Sequence, residues 1–147
     1  MDLTLSHRSK FPFSQKIALR WSDYDMLGHI NKVMYNRYIE YIVLALDKQA
    51  GIDWLNDRII PLAVEVNVKF KRPVTSTEHL DAGLLISHLG TSSVVYEVAL
   101  FVPDQLQPSA FGHFVHVFVD RETEQSVSIP ETVRRFFEQF TEQSNGT

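Results

Sequence analysis

The chain has 147 residues, of which 44% are hydrophobic and 22% are charged, and its formal net charge at pH 7 is -4. These values are close to globular averages and exclude a disordered or fibrous protein, and the acidic balance argues against nucleic acid as a partner, because nucleic acid is bound through many Lys and Arg contacts to phosphate. The sequence contains no cysteine, which excludes disulfides, thiolate metal ligands and a cysteine nucleophile.

The length is that of one ordinary domain, and we expect a single domain over residues 1–147. A chain of this size buries roughly 70% of the surface that its unfolded form exposes. No stretch approaches the roughly 20 consecutive apolar residues of a membrane helix, and the opening residues lack the apolar core of a signal peptide. We therefore expect a cytoplasmic protein that has no membrane partner.

The N-terminal part of the sequence predicts an arm, a strand and a polar loop. Residues 1–13 show no sustained period and contain Pro12, which is typical of an arm. A first strand is predicted from about Ser14 to Trp21. The next ten residues, Ser22 to Asn31, include two aspartates, a glycine and a histidine, and this composition indicates an irregular loop of the kind that often carries function.

The segment from Lys32 to about Gln49 predicts a long helix, because it contains no Gly or Pro and follows Asn31, a favourable N-cap residue. Gly51 stands where a glycine commonly ends a helix. Apolar side chains cover most of the helix circumference, so we expect the helix to be buried. A charge at Glu40 is then unusual, and we interpret it as a structural group hydrogen-bonded to Asn36 or to a tyrosine.

Four strands are predicted after the helix. From Ile60 to Lys71, large apolar residues occupy every second position, which predicts a long strand with one buried face. The next two strands, Leu80 to Leu89 and Val94 to Val102, are separated by Gly90-Thr91-Ser92-Ser93 and should form an antiparallel hairpin. The last strand is predicted from about Ala110 to Asp120.

A terminal helix is predicted over residues of about 130–143, beginning near Pro130. One face of this helix carries Val133, Phe136, Phe137 and Phe140. The order of strand, long helix, four strands and short helix predicts an α+β fold in which a sheet curls around the apolar helix, with a core over residues of about 14–121. The apolar surface that remains on the helix favours contact with a partner.

The densest polar cluster runs from Asp23 to Asn31, beside the start of the predicted helix. Helix N-termini present unpaired N–H donors that can stabilise an oxygen gaining negative charge. A carboxylate beside such donors could act on a carbonyl as general base or as nucleophile. A thioester suits this kind of site because its thiol leaving group, with a pKa of about 8.5, needs no strong general acid.

The same cluster has a purely structural interpretation. One of Asp23 and Asp25 would cap the helix or a turn, and the other would be solvated. A lone histidine such as His29 is more often a hydrogen-bonded loop residue than a catalytic base. The residues by themselves leave both interpretations open.

Other catalytic and binding patterns are weak. The six histidines are scattered, and the closest pair, His113 and His116, would point to opposite faces of a strand, so no metal site is predicted. Neither a Gly-x-Ser-x-Gly motif nor a glycine-rich phosphate loop occurs in the sequence. Lys69, Lys71 and Arg72 place three cations at one strand end, where they could contact the phosphates of an anionic carrier; a solvated strand face explains them equally well.

Four segments together resemble a known family. They are Arg20-Trp-Ser-Asp-Tyr-Asp25-Met-Leu-Gly28-His-Ile-Asn31, Tyr35-Asn-Arg-Tyr38-Ile-Glu40, Phe70-Lys-Arg72-Pro73 and Gly90-Thr-Ser-Ser. In this order, from about Ile17 to Asp120, the sequence is similar to the hotdog-fold acyl-CoA thioesterases of the 4-hydroxybenzoyl-CoA thioesterase type. The resemblance implies a long central helix wrapped by an antiparallel sheet, and a homodimer or homotetramer with sites between subunits.

The resemblance also implies catalytic roles in the loop. Asp25 matches the family's catalytic aspartate, and Gly28 lets the loop approach the thioester closely. The backbone N–H groups around Asn31 and Lys32 would polarise the thioester carbonyl. His29 and Asn31 match the Gly-His-Val-Asn-Asn form of the motif, whereas Lys32 departs from it, since a second Asn is usual there.

For the other end of the substrate, the resemblance implies that Lys71 and Arg72 contact coenzyme A, with Lys69 as a further candidate from the charge pattern. It implies neither a metal nor a redox cofactor. The leading hypothesis is therefore hydrolysis of an acyl-CoA thioester. Two alternatives are a hotdog-fold enoyl-thioester hydratase or dehydratase, which would use a histidine with an acidic partner, and an acyl-CoA binding protein without turnover.

Overall fold

The computed structural model describes residues 8–75 and 77–141. In chain order, its main elements are β1 (Phe13–Ala18), α1 (Met34–Gln49), β2 (Ile59–Phe70), β3 (His79–Leu89), β4 (Ser93–Phe101), β5 (Ala110–Asp120) and α2 (Glu131–Phe137). Short 3₁₀ turns occur at Arg8–Lys10, Trp21–Asp23 and Glu138–Phe140.

The five strands form one antiparallel sheet in the order β1-β3-β4-β5-β2. The central helix α1 packs across the inner face of this sheet, where Ile39, Ile42, Val43 and Leu46 are fully buried. The predicted α+β hotdog fold is therefore confirmed. Neither helix of the described residues has the length and apolar character needed to cross a membrane.

The later strands match their predictions closely. β3 and β4 form the predicted antiparallel hairpin, whose turn is closed by a hydrogen bond from the Gly90 N–H to the Ser93 carbonyl (2.8 Å). β5 has the predicted bounds. Helix α2 begins at Glu131 with Pro130 in the N-cap position, and it buries Val133 and Phe137 as expected. The predicted length of this helix, to about residue 143, is wrong: α2 ends at Phe137 and a 3₁₀ turn follows at Glu138–Phe140. The predicted residues beyond 141 lie outside the described residues.

Two predicted boundaries near the polar loop are wrong. β1 ends at Ala18 rather than Trp21, because Trp21 begins a 3₁₀ turn in which the Arg20 N–H donates to Asp23 Oδ2 (3.3 Å). α1 begins at Met34 rather than Lys32. Asn31 caps a separate turn before it: its side-chain oxygen accepts from the Val33 N–H (3.2 Å), and its carbonyl accepts from the Met34 N–H (2.9 Å).

The opposite end of α1 agrees with its prediction. Gly51 has φ = +90°, a left-handed conformation that favours glycine, and its N–H donates to the Lys48 carbonyl (3.0 Å). The helix stops there for the predicted reason.

The expectation that α1 is buried on nearly all sides is wrong for the single chain. One face packs on the sheet, but Tyr41 is 51% exposed and Leu44 is 36% exposed on the other. Glu40 is also exposed and makes no hydrogen bond within the described residues, so its predicted pairing with Asn36 or a tyrosine is absent there. The apolar residues on this outer face are therefore not used by the chain's own core.

β2 does not have the single buried face that its alternation predicts. Its pairing with β5 shifts between Ala63 and Glu65, so Val64 forms a β-bulge. Directly opposed residues share a face, and Leu62 pairs with outward-facing Val117, whereas Phe70 pairs with buried Ala110. The alternating apolar residues of β2 therefore face outward before the bulge and inward after it. β2 also lies at the sheet edge, where most of its side chains stay exposed.

A buried polar network ties α1 to the sheet. The Tyr96 hydroxyl on β4 donates to Asp47 Oδ1 on α1 (2.8 Å) and lies 3.0 Å from His116 Nδ1 on β5. His116 Nδ1 is also 3.2 Å from Asp47 Oδ2. Burial raises the pKa of Asp47, against the opposing effect of its contacts with His116 and Tyr96. Asp47 Oδ2 has this contact but no hydrogen bond within the described residues. Because a buried carboxylate without donors is costly, the hydrogen bond from Tyr96 to Asp47 Oδ1 is important for stability.

The network gives a stability prediction. Tyr96→Phe removes the hydroxyl that donates to Asp47 and should lower the free energy of unfolding by about 1–3 kcal/mol, measured by urea denaturation. Tyr41→Phe is the control: this exposed tyrosine on α1, the helix that carries Asp47, should change the value by less than about 0.5 kcal/mol. Equal losses in the two variants would contradict the assigned role of the network.

Candidate active site

The loop between β1 and α1 is closed by the Asp25 carboxylate. Asp25 Oδ1 accepts hydrogen bonds from the N–H groups of Leu27 (2.9 Å) and His29 (3.1 Å). The main chain adds bonds from the Asp25 N–H to the His29 carbonyl (2.7 Å) and from the Gly28 N–H to the Asp25 carbonyl (3.0 Å). This turn places Gly28 at φ = +80°, which favours glycine. The turn-capping interpretation thus describes one oxygen of Asp25.

The other carboxylate oxygen is available. Asp25 Oδ2 has no hydrogen-bond partner within the described residues, and the side chain is only partly buried. Two N–H donors on Oδ1 hold the carboxylate in one orientation. A carboxylate fixed through one oxygen can present the other to a water molecule or to an electrophilic carbon.

The loop is fastened to the segment that follows β2. The Ile30 N–H donates to the Val74 carbonyl (2.9 Å), and His29 forms a bridge with Thr75. The Tyr24 hydroxyl donates to the Thr77 carbonyl (2.7 Å). These contacts bring the loop and the end of β2 together, although they are about 45 residues apart in the chain.

A cleft of about 380 Å³ lies between the loop, the start of α1 and the end of β2. It is lined by Asp25 and His29 from the loop, by Lys32 from the approach to α1, and by Lys71 and Arg72 from the end of β2. The fold therefore places a carboxylate and three cations around one opening. The described residues contain no group of three or more His, Asp and Glu side chains arranged to hold a metal ion.

Two aromatic rings form the apolar part of this cleft. Tyr35 from α1 and Phe70 from β2 meet edge to face, with ring centroids 5.0 Å apart. Lys32 Nζ lies 5.1 Å from the centre of the Phe70 ring, within the range of a cation–π contact. Burial raises the pKa of Tyr35 to about 12, so its hydroxyl stays protonated at neutral pH. Neither ring was predicted as a site residue, although each opens one of the segments that carry the resemblance.

Of the two backbone N–H groups predicted to face the thioester, those of Asn31 and Lys32, only one is free to donate in the described part of the chain. The Asn31 N–H is already used, because it donates to the Asp23 carbonyl (2.8 Å). The Lys32 N–H makes no hydrogen bond within the described residues. The prediction that both groups are available is therefore wrong for Asn31, whose backbone and side chain shape the turn before α1.

The three cations predicted to bind the substrate do not all lie at the cleft. Lys71 and Arg72 line the cleft, but Lys69 does not. Lys69 pairs with Phe111, and its side chain lies on the outer face of the sheet, opposite to that of Phe70. A strand alternates its side chains between two faces, and the cleft opens on only one of them.

Asp23 caps a turn, because its carboxylate accepts the Arg20 N–H at the start of the 3₁₀ turn Trp21–Asp23. It is not solvated, however, so the prediction that one of the two aspartates caps and the other is solvated is wrong for the second part. It is 2% exposed, and its Oδ2 accepts a hydrogen bond from the Tyr38 hydroxyl on α1 (2.9 Å). Arg20 contacts the same carboxylate through its side chain (3.3 Å). The sequence contains one signal for this arrangement: Tyr38 lies near the start of the helix that follows the loop.

The antiparallel sheet around one long helix, with an aspartate loop facing a cleft at the helix start, defines a hotdog-fold protein of the thioesterase type. The family model of the thioesterase-like superfamily matches residues 19–137. The chain belongs to that superfamily. The narrower 4-hydroxybenzoyl-CoA thioesterase type remains a prediction.

The chain is also similar to individual proteins over most of its length. The crystal structure of the PA5185 protein from Pseudomonas aeruginosa is 33% identical, with a TM-score of 0.88, and the match covers 95% of this chain and 99% of that one. The PA2801 protein from the same species is 27% identical, with a TM-score of 0.79, over 85% of this chain and 97% of its own. The uncharacterized protein YsmA of Bacillus subtilis is 26% identical over 82% of both chains.

Proposed function

We propose that the protein hydrolyses an acyl-CoA thioester to the free carboxylic acid and coenzyme A. The observation that carries the proposal is the cleft that brings together the Asp25 carboxylate, the start of α1 and the two cations that directly follow β2. Membership of the thioesterase-like superfamily supports the class of reaction.

In the proposed reaction, the free Oδ2 of Asp25 acts at the thioester carbonyl. As a general base, it takes a proton from water while the water oxygen bonds to the carbonyl carbon. The tetrahedral intermediate then breaks its C–S bond, and the departing thiolate takes the proton from Asp25. As a nucleophile, it forms a mixed anhydride and expels the thiolate, and water then hydrolyses the anhydride. In both routes the carbonyl oxygen gains negative charge and receives a hydrogen bond from the Lys32 N–H.

The cations at the end of β2 suit the other part of the substrate. Coenzyme A carries phosphate groups, and Lys71 and Arg72 line the same cleft as Asp25. Arg72 can bind a phosphate through two N–H groups, whereas Lys71 acts as a point charge. The proposed pose therefore runs from the Asp25 loop, at the thioester, towards these two residues at the phosphates.

A second copy of the chain is the proposed partner. β2 has a free edge within the described residues, and Leu62 and Val64 on it are 48% and 60% exposed. The outer face of α1 presents exposed Tyr41 and Leu44. Unpaired edges with apolar side chains favour pairing with another chain. A homodimer or homotetramer would cover both surfaces.

The main test is release of coenzyme A from a panel of short, long and aromatic acyl-CoA substrates, including 4-hydroxybenzoyl-CoA. We expect turnover by the wild type and a loss of at least about 100-fold in Asp25→Asn, because the amide can act neither as base nor as nucleophile. A thiol reagent can follow the reaction without protein background, since the chain has no cysteine.

Three outcomes would contradict this function. Equal rates in wild type and Asp25→Asn would remove Asp25 from the mechanism. Hydration of an enoyl-CoA without thiol release would indicate a hydratase. Tight binding of acyl-CoA with no hydrolysis over the whole panel would indicate a binding protein. Circular dichroism of Asp25→Asn must match that of the wild type, because Asn can still accept the two loop hydrogen bonds.

Two cations line the cleft and a third, Lys69, lies outside it, so Lys69 can serve as a control for the other two. Lys71→Ala and Arg72→Ala should each raise KM for acyl-CoA about tenfold with little change in kcat, because a charged hydrogen bond to phosphate is lost. Lys69→Ala removes the same charge from a neighbouring position, but from the outer face of β2, and its KM should stay near that of the wild type. A similar rise in KM in all three variants would show that only net charge matters.

The proposed oligomer can be tested by light scattering coupled to size-exclusion chromatography. The wild type should have a mass of two or four times 16.9 kDa. Val64→Lys adds a charge at the exposed bulge of β2 and should shift the protein towards the monomer, since charges on an edge strand oppose pairing. A monomeric wild type at micromolar concentration would refute the proposed assembly.

A further inference from the structure

The bonds around Asp25 explain the shape of the loop, but they do not attach it to α1. Asp25 bonds to residues of its own loop, and the contacts of Ile30 and His29 lead to the segment after β2. A catalytic carboxylate must be held against the helix start within a fraction of an ångström, because small misplacements cost large factors in rate. Some other group has to set that distance.

Asp23 makes the required connections. Its carboxylate is almost completely buried and accepts the Tyr38 hydroxyl of α1 at 2.9 Å. Its backbone carbonyl accepts the Asn31 N–H at 2.8 Å, which joins the two ends of the loop. Arg20, on the β1 side, contacts the carboxylate through both its N–H and its side chain (3.3 Å each). One residue therefore links β1, both loop ends and α1.

From this geometry we infer that Asp23 and Tyr38 are positioning residues for Asp25, which set the distance between its carboxylate and the start of α1. Neither residue lines the cleft of Asp25. They act on the reaction only through the loop that they hold. This inference rests on the proposed function, because it assigns the purpose of the arrangement to catalysis by Asp25.

The tyrosine suits this role chemically. Burial raises the pKa of Tyr38 well above its ordinary value, and the hydrogen bond to the Asp23 carboxylate adds to the shift. Tyr38 therefore remains a hydrogen-bond donor throughout the pH range in which the protein would work. The charged acceptor makes this bond stronger than one between neutral groups.

The structure provides a closely matched control for Tyr38. Tyr96 is likewise a buried tyrosine whose hydroxyl donates to a buried carboxylate, at 2.8 Å, but that carboxylate is Asp47 in the core, away from the loop. Tyr38→Phe and Tyr96→Phe therefore delete the same atom from the same kind of bond. Only the first deletion acts on the Asp25 loop.

The first readout is steady-state kinetics at a temperature at which every variant is fully folded. Tyr38→Phe should lower kcat about tenfold or more and change KM by less than about twofold, whereas Tyr96→Phe should keep both near the wild-type values. Asp23→Asn, which still offers an acceptor to Tyr38, should retain more kcat than Asp23→Ala. Equal kcat in Tyr38→Phe and Tyr96→Phe would overturn the inference.

The second readout is amide hydrogen exchange, which does not depend on turnover. The Asn31 N–H should exchange about tenfold faster or more in Tyr38→Phe and at the wild-type rate in Tyr96→Phe. Unchanged exchange in Tyr38→Phe would refute the anchoring even if the wild type hydrolysed no substrate. If the Asn31 N–H exchanged faster in Tyr38→Phe but the wild type hydrolysed no substrate, the anchoring would be supported and only the proposed function would be refuted.

Discussion

The two hydrogen bonds that Asp25 Oδ1 accepts from its own loop are the interaction on which the site depends. They fold the chain into a tight turn and, by the same contacts, fix the direction of the second carboxylate oxygen. The sequence left a capping role and a catalytic role for this residue as competing interpretations. In the structure the capping bonds use only Oδ1 and leave Oδ2 for the proposed chemistry, so the same turn also orients the carboxylate. Gly28, at φ = +80°, allows the turn to close.

The cleft depends equally on the irregularity in β2. Before the bulge at Val64, Leu62 points to the outer face of the sheet; after it, Phe70 points to the inner face. In a regular strand these two residues would share a face, because side chains alternate with a period of two. The bulge therefore lets one strand present apolar residues at its outer edge and still supply Phe70 to the wall beside Tyr35. Lys71 and Arg72 follow directly and reach the same opening.

The sequence predicts those features that local patterns determine. The bounds of β5, the turn at Gly90 and the end of α1 at Gly51 follow from periodicity and turn chemistry. The bulge at Val64 could not be predicted, because the printed alternation is unbroken and only the pairing with β5 shows the extra residue. For the site, the motif led to Asp25. The use of the Asn31 N–H by a loop carbonyl depends on tertiary geometry that no spacing records.

The structure uses one interaction, a buried tyrosine hydroxyl on a buried carboxylate, in two different places. Asp47 and Tyr96 join α1 to the sheet, where both partners already lie in rigid elements, so their bond mainly supplies a donor to one oxygen of a buried carboxylate. Asp23 and Tyr38 join α1 to a loop, which has few other attachments to that helix. In both cases the burial of a carboxylate is poor evidence for stabilisation. The two bonds differ in the motion that each one restricts. The bond between Tyr38 and Asp23 restricts the loop that carries Asp25, the residue that faces the cleft.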